Sequence, residues 1–190
     1  TLNYAEHIFR NKNEEQPAII YQCEDQPVLE ISWHELEKQV KALQQFLLEQ
    51  NIRPGDRVVA YLPNIPEAVV AFLAANSLGA IWSCCSPDFG VDSVVDRFQQ
   101  IEPTILIAAT AYRYNGKLFD KSDAIRMIQA KLPALKKTII IGDEIGKDEV
   151  KWNGLVLKNI KSDLVFIPVP FDHPIWILYS SGTTGKPKAI

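Results

Sequence analysis

Residues 58–84 read VVAYLPNIPEAVVAFLAANSLGAIWSC, and the order of elements within them indicates the fold class. Residues 58–62 form a short apolar run typical of a strand, and Pro63 ends it because proline has no N–H to donate to a sheet. Apolar side chains then recur at helical spacing until Gly79, a residue type that commonly ends helices. Residues 80–84 predict a second buried strand. The stretch therefore predicts a strand, a helix and a strand, the repeating unit of parallel α/β sheets.

The same alternation continues on both sides of these residues. Ser32 and Glu35 match a capping box, so the helix over residues 32–50 is expected to begin at Ser32. Asn64 is the expected N-cap of the helix that follows Pro63. Strands alternating with helices predict an α/β domain with a mostly parallel sheet, helices on both faces and no internal domain boundary. The remaining predicted elements are a hairpin over residues 18–21 and 28–31, helices over 92–101 and 122–132, strands over 104–109, 137–141 and 175–179, and a less regular region over 147–170.

Composition argues against several classes of protein. The chain has 190 residues, of which 47% are hydrophobic, and this composition is typical of a folded globular domain. The net charge of −3 argues against nucleic acid and against an anionic membrane surface as partners. Residues 68–87 carry no charge over a length that could span a bilayer. Because polar residues interrupt them, we expect a buried helix followed by a buried strand instead.

The three cysteines are Cys23, Cys84 and Cys85, and two of them are adjacent. This arrangement predicts no disulfide framework and no zinc site, and it favours a reducing, cytoplasmic location. Cys84 and Cys85 are expected to pack in the core beside Trp82. His7, His34 and His173 are expected to have surface or turn positions without a catalytic role, and Asp88 is expected to cap the helix that follows it.

The run with the clearest chemical meaning is YSSGTTGKPK at residues 179–188, directly after the last predicted strand. Glycines let the backbone approach a ligand closely, hydroxyl and backbone N–H groups can donate to phosphate oxygens, and lysine adds positive charge. The run is not a Walker loop, which would need Gly at Ser180 and Ser or Thr at Pro187. A polar hairpin turn is the alternative, but a phosphate-binding loop is favoured because such turns are common only in shorter form.

This run resembles the signature of the adenylate-forming superfamily, which includes acyl-CoA synthetases, luciferases and the adenylation domains of peptide synthetases. In that superfamily the loop wraps around the β- and γ-phosphates of ATP. The resemblance implies that residues 1–190 are the first, truncated part of the large N-terminal adenylation domain, with the C-terminal domain absent. The residues implied to contact the ATP phosphates are Ser180, Ser181, Gly182, Thr183, Thr184, Gly185 and Lys188.

Other stretches resemble one branch of the superfamily, the acetoacetyl-CoA synthetases. They are GAIWSCCSPDFG at residues 79–90, YRYNGK at 112–117 and PFDHP at 170–174. The resemblance implies a ligase in which a short-chain acid, with acetoacetate favoured, reacts with Mg-ATP to give acyl-AMP and pyrophosphate. The thiol of coenzyme A then displaces AMP. A ligase for acetate or propionate, and a non-catalytic module that binds nucleotide or coenzyme A, are the alternatives.

Arg113 and Lys117 are a second candidate site. In related acetyl-CoA synthetases an arginine-bearing segment near this position contacts the phosphates of coenzyme A, and the guanidinium fork suits phosphate because it donates two hydrogen bonds. The alternative is an ordinary surface loop. The resemblance also implies that the groups for the AMP ribose and for adenylation lie beyond Ile190. We therefore expect no catalytic residue and no metal ligand within residues 1–190, an inactive fragment, and self-association through apolar surface that truncation exposes.

Overall fold

A five-stranded sheet lies at the centre of the computed structural model, which describes residues 1–24, 26–143, 146, 149–158, 160–180 and 185–190. The elements in chain order are α1 (Tyr4–Arg10), β1 (Ile19–Tyr21), β2 (Leu29–Ile31), α2 (Trp33–Glu49), β3 (Arg57–Tyr61), α3 (Pro66–Ser77), β4 (Ile81–Cys85), α4 (Val91–Phe98), β5 (Ile105–Ala109), β6 (Ala111–Tyr114), β7 (Lys117–Asp120), α5 (Ser122–Ala130), β8 (Lys137–Ile141), β9 (Glu149–Lys151), α6 (Trp152–Val156), β10 (Tyr179–Ser180) and β11 (Lys188–Ala189). A 3₁₀ turn over Gln99–Ile101 extends α4.

The strands of the central sheet follow the order β4-β3-β5-β8-β9, and each neighbouring pair is parallel. Within this sheet β3 comes first in the chain, β4 pairs with one of its edges and β5 with the other. The chain therefore reverses its direction across the sheet between β3 and β5. The carboxyl ends of these two strands form a topological switch point, which is where open α/β sheets bind their ligands.

Helices cover both faces of this sheet because side chains along each strand alternate between the faces. Val58 and Ala60 pack with α1, α2, α3 and α6 on one face. Val59 and Tyr61 pack with α4 and α5 on the other face. β5 is buried along its whole length, as is typical of a central strand in a parallel sheet. The predicted α/β class, the parallel sheet and the helices on both faces are confirmed.

Several predicted boundaries are also confirmed. Ser32 Oγ accepts a hydrogen bond from the backbone N–H of Glu35 at 3.1 Å and caps α2. The predicted hairpin is present as the antiparallel pair of β1 and β2. The uncharged residues 68–87 are divided between α3 and β4. In the part of the chain that the structure describes, no helix is both long enough and apolar enough to cross a membrane.

The start of α3 differs from the prediction. Its N-cap is Ile65 and not Asn64, and Pro66 occupies the first helical position. The fixed φ of proline suits that position, and proline has no N–H that would need a capping acceptor. The helix therefore begins one residue later than a cap at Asn64 would place it.

The later part of the chain was also predicted incompletely. The expected strand over residues 175–179 is reduced to a parallel bridge between Trp176 and Trp82, followed by β10. The region over 147–170 contains β9 and α6, which the sequence did not indicate. Both elements are short, with 3 and 5 residues, and such lengths carry too little periodicity to be recognised.

A buried asparagine joins α1 to the end of α3. Asn3 Oδ1 accepts from the backbone N–H of Glu6 at 3.1 Å and caps α1. Asn3 Nδ2 lies 3.0 Å from the carbonyl oxygens of Asn76 and Ser77 and 2.8 Å from that of Ile167. The carbonyls at a helix end have no intrahelical donor, so this side chain satisfies groups that burial would otherwise leave unpaired.

Candidate functional site

The segment before β10 runs along the outer edge of β4 and leads the chain to the carboxyl end of the sheet. Trp82 N donates to Ile175 O at 3.1 Å, and Ile177 N donates to Trp82 O at 2.8 Å. The hydroxyl of Ser83 donates to Ile177 O at 2.8 Å. Because Trp82 and Trp176 pair in parallel, the segment points in the same direction as β4, toward the end of the sheet where α/β proteins bind ligands.

The base of the predicted phosphate loop is the two-stranded ribbon of β10 and β11. These strands pair antiparallel, with Ser180 opposite Lys188. Both side chains are exposed, and directly opposed residues stand on the same face of a ribbon. Gly185, also exposed, precedes the return strand. The structure therefore brings together one predicted hydroxyl and one predicted ammonium group. The other predicted contacts, Ser181, Gly182, Thr183 and Thr184, lie outside the described residues.

The end of α4 and the turn after it hold this base. Gln100 Nε2 donates to Pro187 O at 2.9 Å, and Gln100 Oε1 accepts from Ala189 N at 3.3 Å. Tyr179 OH donates to Arg97 O at 3.1 Å. Burial raises the pKa of Tyr179 to about 12, so the hydroxyl remains protonated and able to donate. No sequence signal singles out Gln100, because its partners lie 87 and 89 positions away.

Arg113 and Lys117 lie on the antiparallel hairpin of β6 and β7, directly after β5. Arg113 stands opposite Leu118, and Lys117 stands opposite Tyr114. Successive residues of a strand point to opposite faces, so Arg113 and Lys117 project from different faces of the hairpin. The segment therefore forms a pair of strands at the surface, and the structure does not gather the two cations into one cluster.

Arg113 lines a crevice of about 420 Å³ at the switch point between β3 and β5. Ile31 and Pro63 contribute to its apolar walls, and Glu67 adds a carboxyl group. Burial raises the pKa of Glu67, because a charged carboxylate is poorly solvated there. Apolar walls with a few convergent polar groups are typical of small-molecule sites.

Two carboxylates from other parts of the chain hold this hairpin. Glu24, in the turn between β1 and β2, accepts from the backbone N–H groups of Asn115 and Gly116, at 2.8 Å each. These two amides lower the pKa of Glu24. Asp88, which follows β4, accepts from the hydroxyl of Tyr112 at 2.6 Å, and this hydrogen bond lowers the pKa of Asp88. Sequence reasoning missed both contacts, since no local pattern connects residues so far apart.

The prediction that Asp88 caps the following helix was wrong. The N-cap of α4 is Gly90, and Asp88 lies two positions too early for its carboxylate to serve there. The loop that carries Asp88 is held from inside the protein by Tyr61. The Tyr61 hydroxyl lies 2.8 Å from Pro87 O and 2.8 Å from Phe89 O.

Cys85 is buried in the core as expected, whereas Cys84 is only half-buried against it. Burial raises the pKa of the Cys84 thiol to about 11 and that of Cys85 to about 12, so both remain protonated near neutral pH. His34 is exposed on α2. His173 lies in a turn, with Nε2 at 2.8 Å from Gly79 O. Among the described residues no group of three or more His, Cys, Asp or Glu side chains could hold a metal ion.

Comparison with known proteins gives consistent results. The sequence model of a family described as AMP-binding enzyme matches residues 7–190. The acetoacetyl-coenzyme A synthetase of Rhizobium meliloti (strain 1021) is 43% identical over 197 residues, covering 100% of this chain and 30% of that protein. The acetoacetyl-CoA synthetase of Macaca fascicularis is 37% identical over 202 residues, with the same coverage. A solved structure of acetoacetyl-CoA synthetase from Streptomyces lividans has a TM-score of 0.94 and 46% identity, covering 100% of this chain and 30% of that one.

These similarities agree with the resemblance seen in residues 79–90 and 179–188. The chain spans 30% of the length of each relative named above. The solved structure matches the chain over its whole length. Since the family match extends over nearly every residue, the chain belongs to the AMP-binding enzyme family.

Proposed function

We propose that this chain is the N-terminal portion of the adenylation domain of an ATP-dependent acid–CoA ligase, with acetoacetate as the acid. The observation that carries the proposal is the base of the loop, where Ser180 and Lys188 are paired and exposed after a segment that runs parallel to β4. The names of the relatives support acetoacetate, since those described above are acetoacetyl-CoA synthetases.

The proposed reaction has two steps. A carboxylate oxygen of the acid attacks the α-phosphate of ATP, an oxygen–phosphorus bond forms, and pyrophosphate leaves. The sulfur of coenzyme A then attacks the carbonyl carbon of the acyl-AMP, AMP leaves with the electron pair of the broken bond, and the thiol proton is released. Magnesium enters as its complex with ATP. Both steps depend mainly on the positioning of reactants and on neutralising phosphate charge.

The loop would serve the first step by binding the β- and γ-phosphates. The Ser180 hydroxyl can donate to a phosphate oxygen, and the Lys188 ammonium group can offset its charge. Both side chains are exposed to an incoming ligand, while Gln100 holds the backbone of the return strand. The full set of proposed phosphate contacts is Ser180, Ser181, Gly182, Thr183, Thr184, Gly185 and Lys188.

The β6–β7 hairpin would serve the second step by binding coenzyme A. Coenzyme A carries phosphate at more than one position, so Arg113 and Lys117 can each meet a different phosphate although they project from different faces. In the described part of the chain neither side chain forms an ion pair, which leaves both charges available. The partners proposed are therefore small molecules. The free thiols of Cys23, Cys84 and Cys85 support a reducing compartment such as the cytoplasm.

An apolar face beside β4 supports self-association of the isolated chain. Trp176 is 43% exposed, Leu178 is 56% exposed and Val69 is 38% exposed. Clustered apolar surface of this kind favours contact with another protein surface. Sedimentation velocity of the 190-residue chain should give a weight-average mass that rises with concentration, and the Trp176→Ser variant should reduce the rise. A constant monomer mass across the range would contradict the proposal.

A pyrophosphate-release assay tests the activity. The full-length protein that contains these residues is assayed with ATP, magnesium and coenzyme A, and with acetoacetate, acetate or propionate as the acid. We expect the highest kcat/KM with acetoacetate. A preference for acetate or propionate would make the protein a different short-acid ligase, and binding of ATP without turnover of any acid would make it a non-catalytic module.

The 190-residue chain alone should release no pyrophosphate above a no-protein control. Groups that fix the adenosine and the acid are proposed to lie elsewhere in the protein, and such positioning is worth about 7–11 kcal/mol of the barrier. Steady turnover by the isolated chain would show that the catalytic set is already present in it.

The Arg113→Ala variant tests the coenzyme A contact. Loss of one charge-assisted hydrogen bond costs about 1.5–3 kcal/mol, which corresponds to a roughly 10- to 150-fold rise in the KM for coenzyme A. The adenylation rate and the use of pantetheine, which has no phosphate, should not change. Arg126→Ala, on the surface of α5, is the matched control. An unchanged KM for coenzyme A would remove Arg113 from the site.

A further inference from the structure

The tip of the β6–β7 hairpin presents two adjacent backbone amides to one carboxylate. Asn115 and Gly116 form the turn with positive φ angles of 50° and 71°. Their N–H groups point at different oxygens of Glu24, with Asn115 N at 2.8 Å from Oε1 and Gly116 N at 2.8 Å from Oε2. Successive amides in a turn form a concave site for an anion, and a carboxylate that accepts both is held strongly. The side chain of a distant residue thus fills the turn.

This contact matters because few other contacts with the hairpin are seen among the described residues. β6 and β7 pair with each other and form a separate two-stranded sheet, and every residue of β7 is exposed. An isolated two-stranded hairpin is marginally stable at best. At its base the backbone N–H of Lys121 donates to Thr110 O at 2.7 Å, and the Tyr112 hydroxyl donates to Asp88. At the tip of the hairpin, the contact seen among the described residues is the one with Glu24.

We infer that Glu24 is a positioning residue for the coenzyme A contact, because its carboxylate fixes the hairpin tip and so fixes the strands that carry Arg113 and Lys117. The inference rests on the proposed function of that hairpin. Arg113 lies two positions before Asn115, and Lys117 directly follows Gly116. Without a restraint at the tip, a hairpin held only at its base can swing, and a binding group must stay within about 0.5 Å of its working position.

The carboxylate also leaves the two cations free. Glu24 directs its oxygens to backbone amides, and within the described part of the chain it forms no ion pair with Arg113 or Lys117. A glutamate that paired with these cations would compete with a phosphate ligand. The geometry therefore lets an acidic residue stiffen a cationic hairpin without neutralising it.

The test compares Glu24→Ala and Glu24→Gln with the native natural-length protein. Glutamine keeps one acceptor oxygen and should rescue part of the effect of alanine. Glu30→Ala is the matched control, since Glu30 is an exposed glutamate on the neighbouring strand β2. The first readout is amide hydrogen exchange in peptides covering residues 111–120. The second is the KM and kcat for coenzyme A, with pantetheine and ATP as comparison substrates.

We expect Glu24→Ala to accelerate exchange of the hairpin amides at least tenfold and to raise the KM for coenzyme A several-fold. The kcat, the KM for ATP and the rate with pantetheine should stay unchanged. Unchanged exchange would overturn the inference, because the contact would then not order the tip. A second result would overturn the positioning role alone. In it, Glu24→Ala speeds up exchange but leaves the KM for coenzyme A unchanged, while Arg113→Ala raises that KM. The proposed function would then still stand. An unchanged KM in Arg113→Ala itself would remove Arg113 from the proposed coenzyme A site and overturn the inference with it, while the ligase activity would still be judged by pyrophosphate release.

Discussion

The central sheet and the β6–β7 hairpin are adjacent in the chain but are ordered in opposite ways. β5 is buried at all five positions and packs against helices on both faces, whereas β7 is exposed at all four. Apolar burial orders the sheet, and it leaves a pattern in the local sequence. A few polar contacts with distant residues order the hairpin. The central sheet can thus be recognised from its own residues. The order of the hairpin, which is proposed to bind coenzyme A, depends on residues elsewhere in the chain.

The largest expected contrast comes from removing one apolar side chain in each region. Ile107, in β5, is 0% exposed and Leu118, in β7, is 64% exposed. Ile107→Ala should lower the free energy of unfolding by about 2–5 kcal/mol, because it removes buried apolar contacts and leaves a cavity. Leu118→Ala should change it by less than about 0.5 kcal/mol. Urea unfolding of the two variants measures both values, and equal losses would break the comparison.

Two glycines with left-handed backbone give the next contrast. A methyl group at Gly79 would lie 2.8 Å from Val169 Cγ1 and 3.2 Å from Pro54 Cβ, whereas one at Gly116 would meet nothing within 4 Å. Gly79→Ala should cost more than the roughly 1–2 kcal/mol of left-handed strain, because the neighbours must also move. Gly116→Ala should change global stability little, since the hairpin can open without unfolding the sheet. Thermal unfolding distinguishes these outcomes, and a larger loss for Gly116→Ala would contradict them.

Acid should loosen the hairpin before it affects the sheet. The folded-state pKa values of Glu24 and Asp88 are lowered from their ordinary values of 4.5 and 3.8. The stability that these contacts contribute is therefore fully present above those ordinary values, and it is lost as pH falls through the lower folded-state values. Amide protection, corrected for intrinsic exchange rates, should fall in residues 111–120 below about pH 4 and persist in β5. Equal loss in both regions would contradict the contrast.

The smallest expected effect comes from one hydroxyl. Tyr112→Phe removes the hydrogen bond to Asp88 but keeps the ring, whose centroid lies 5.2 Å from that of Phe119. The unfolding midpoint should not change measurably, because Asp88 is exposed and Tyr112 is only half-buried, so water can replace the lost partner. Hydrogen exchange of β6 amides should become faster. A lower unfolding midpoint would mean that the hairpin and the sheet unfold as one unit.

The same contrast explains which elements could be predicted from the sequence. The strand, helix and strand over residues 58–84 were located to within one or two residues because their apolar runs are long and end at Pro63 and Gly79. Residues 175–179 were predicted as a full strand, since they are apolar. They form only one bridge to the edge strand β4, and an apolar sequence does not specify how much of an edge is paired.

The candidate site was predictable only where its chemistry is local. Ser180 and Lys188 belong to one run whose composition indicates phosphate binding, and the structure pairs them. Glu24 and Gln100 could not be found in this way. Their partners lie 91 and 87 positions away, so only the fold brings them to the hairpin and to the base of the loop.

The asparagine that caps α1 also implies a delay during synthesis on the ribosome, because one of its partners is made much later. Asn3 and Ile167 meet through a hydrogen bond, yet 164 positions separate them in the chain. At roughly 5–20 residues per second, Asn3 must wait about 8–33 s after its own synthesis for that carbonyl to be made. Helix α1 therefore emerges well before the last part of its docking site is made, and a chaperone would have this interval in which to shield it.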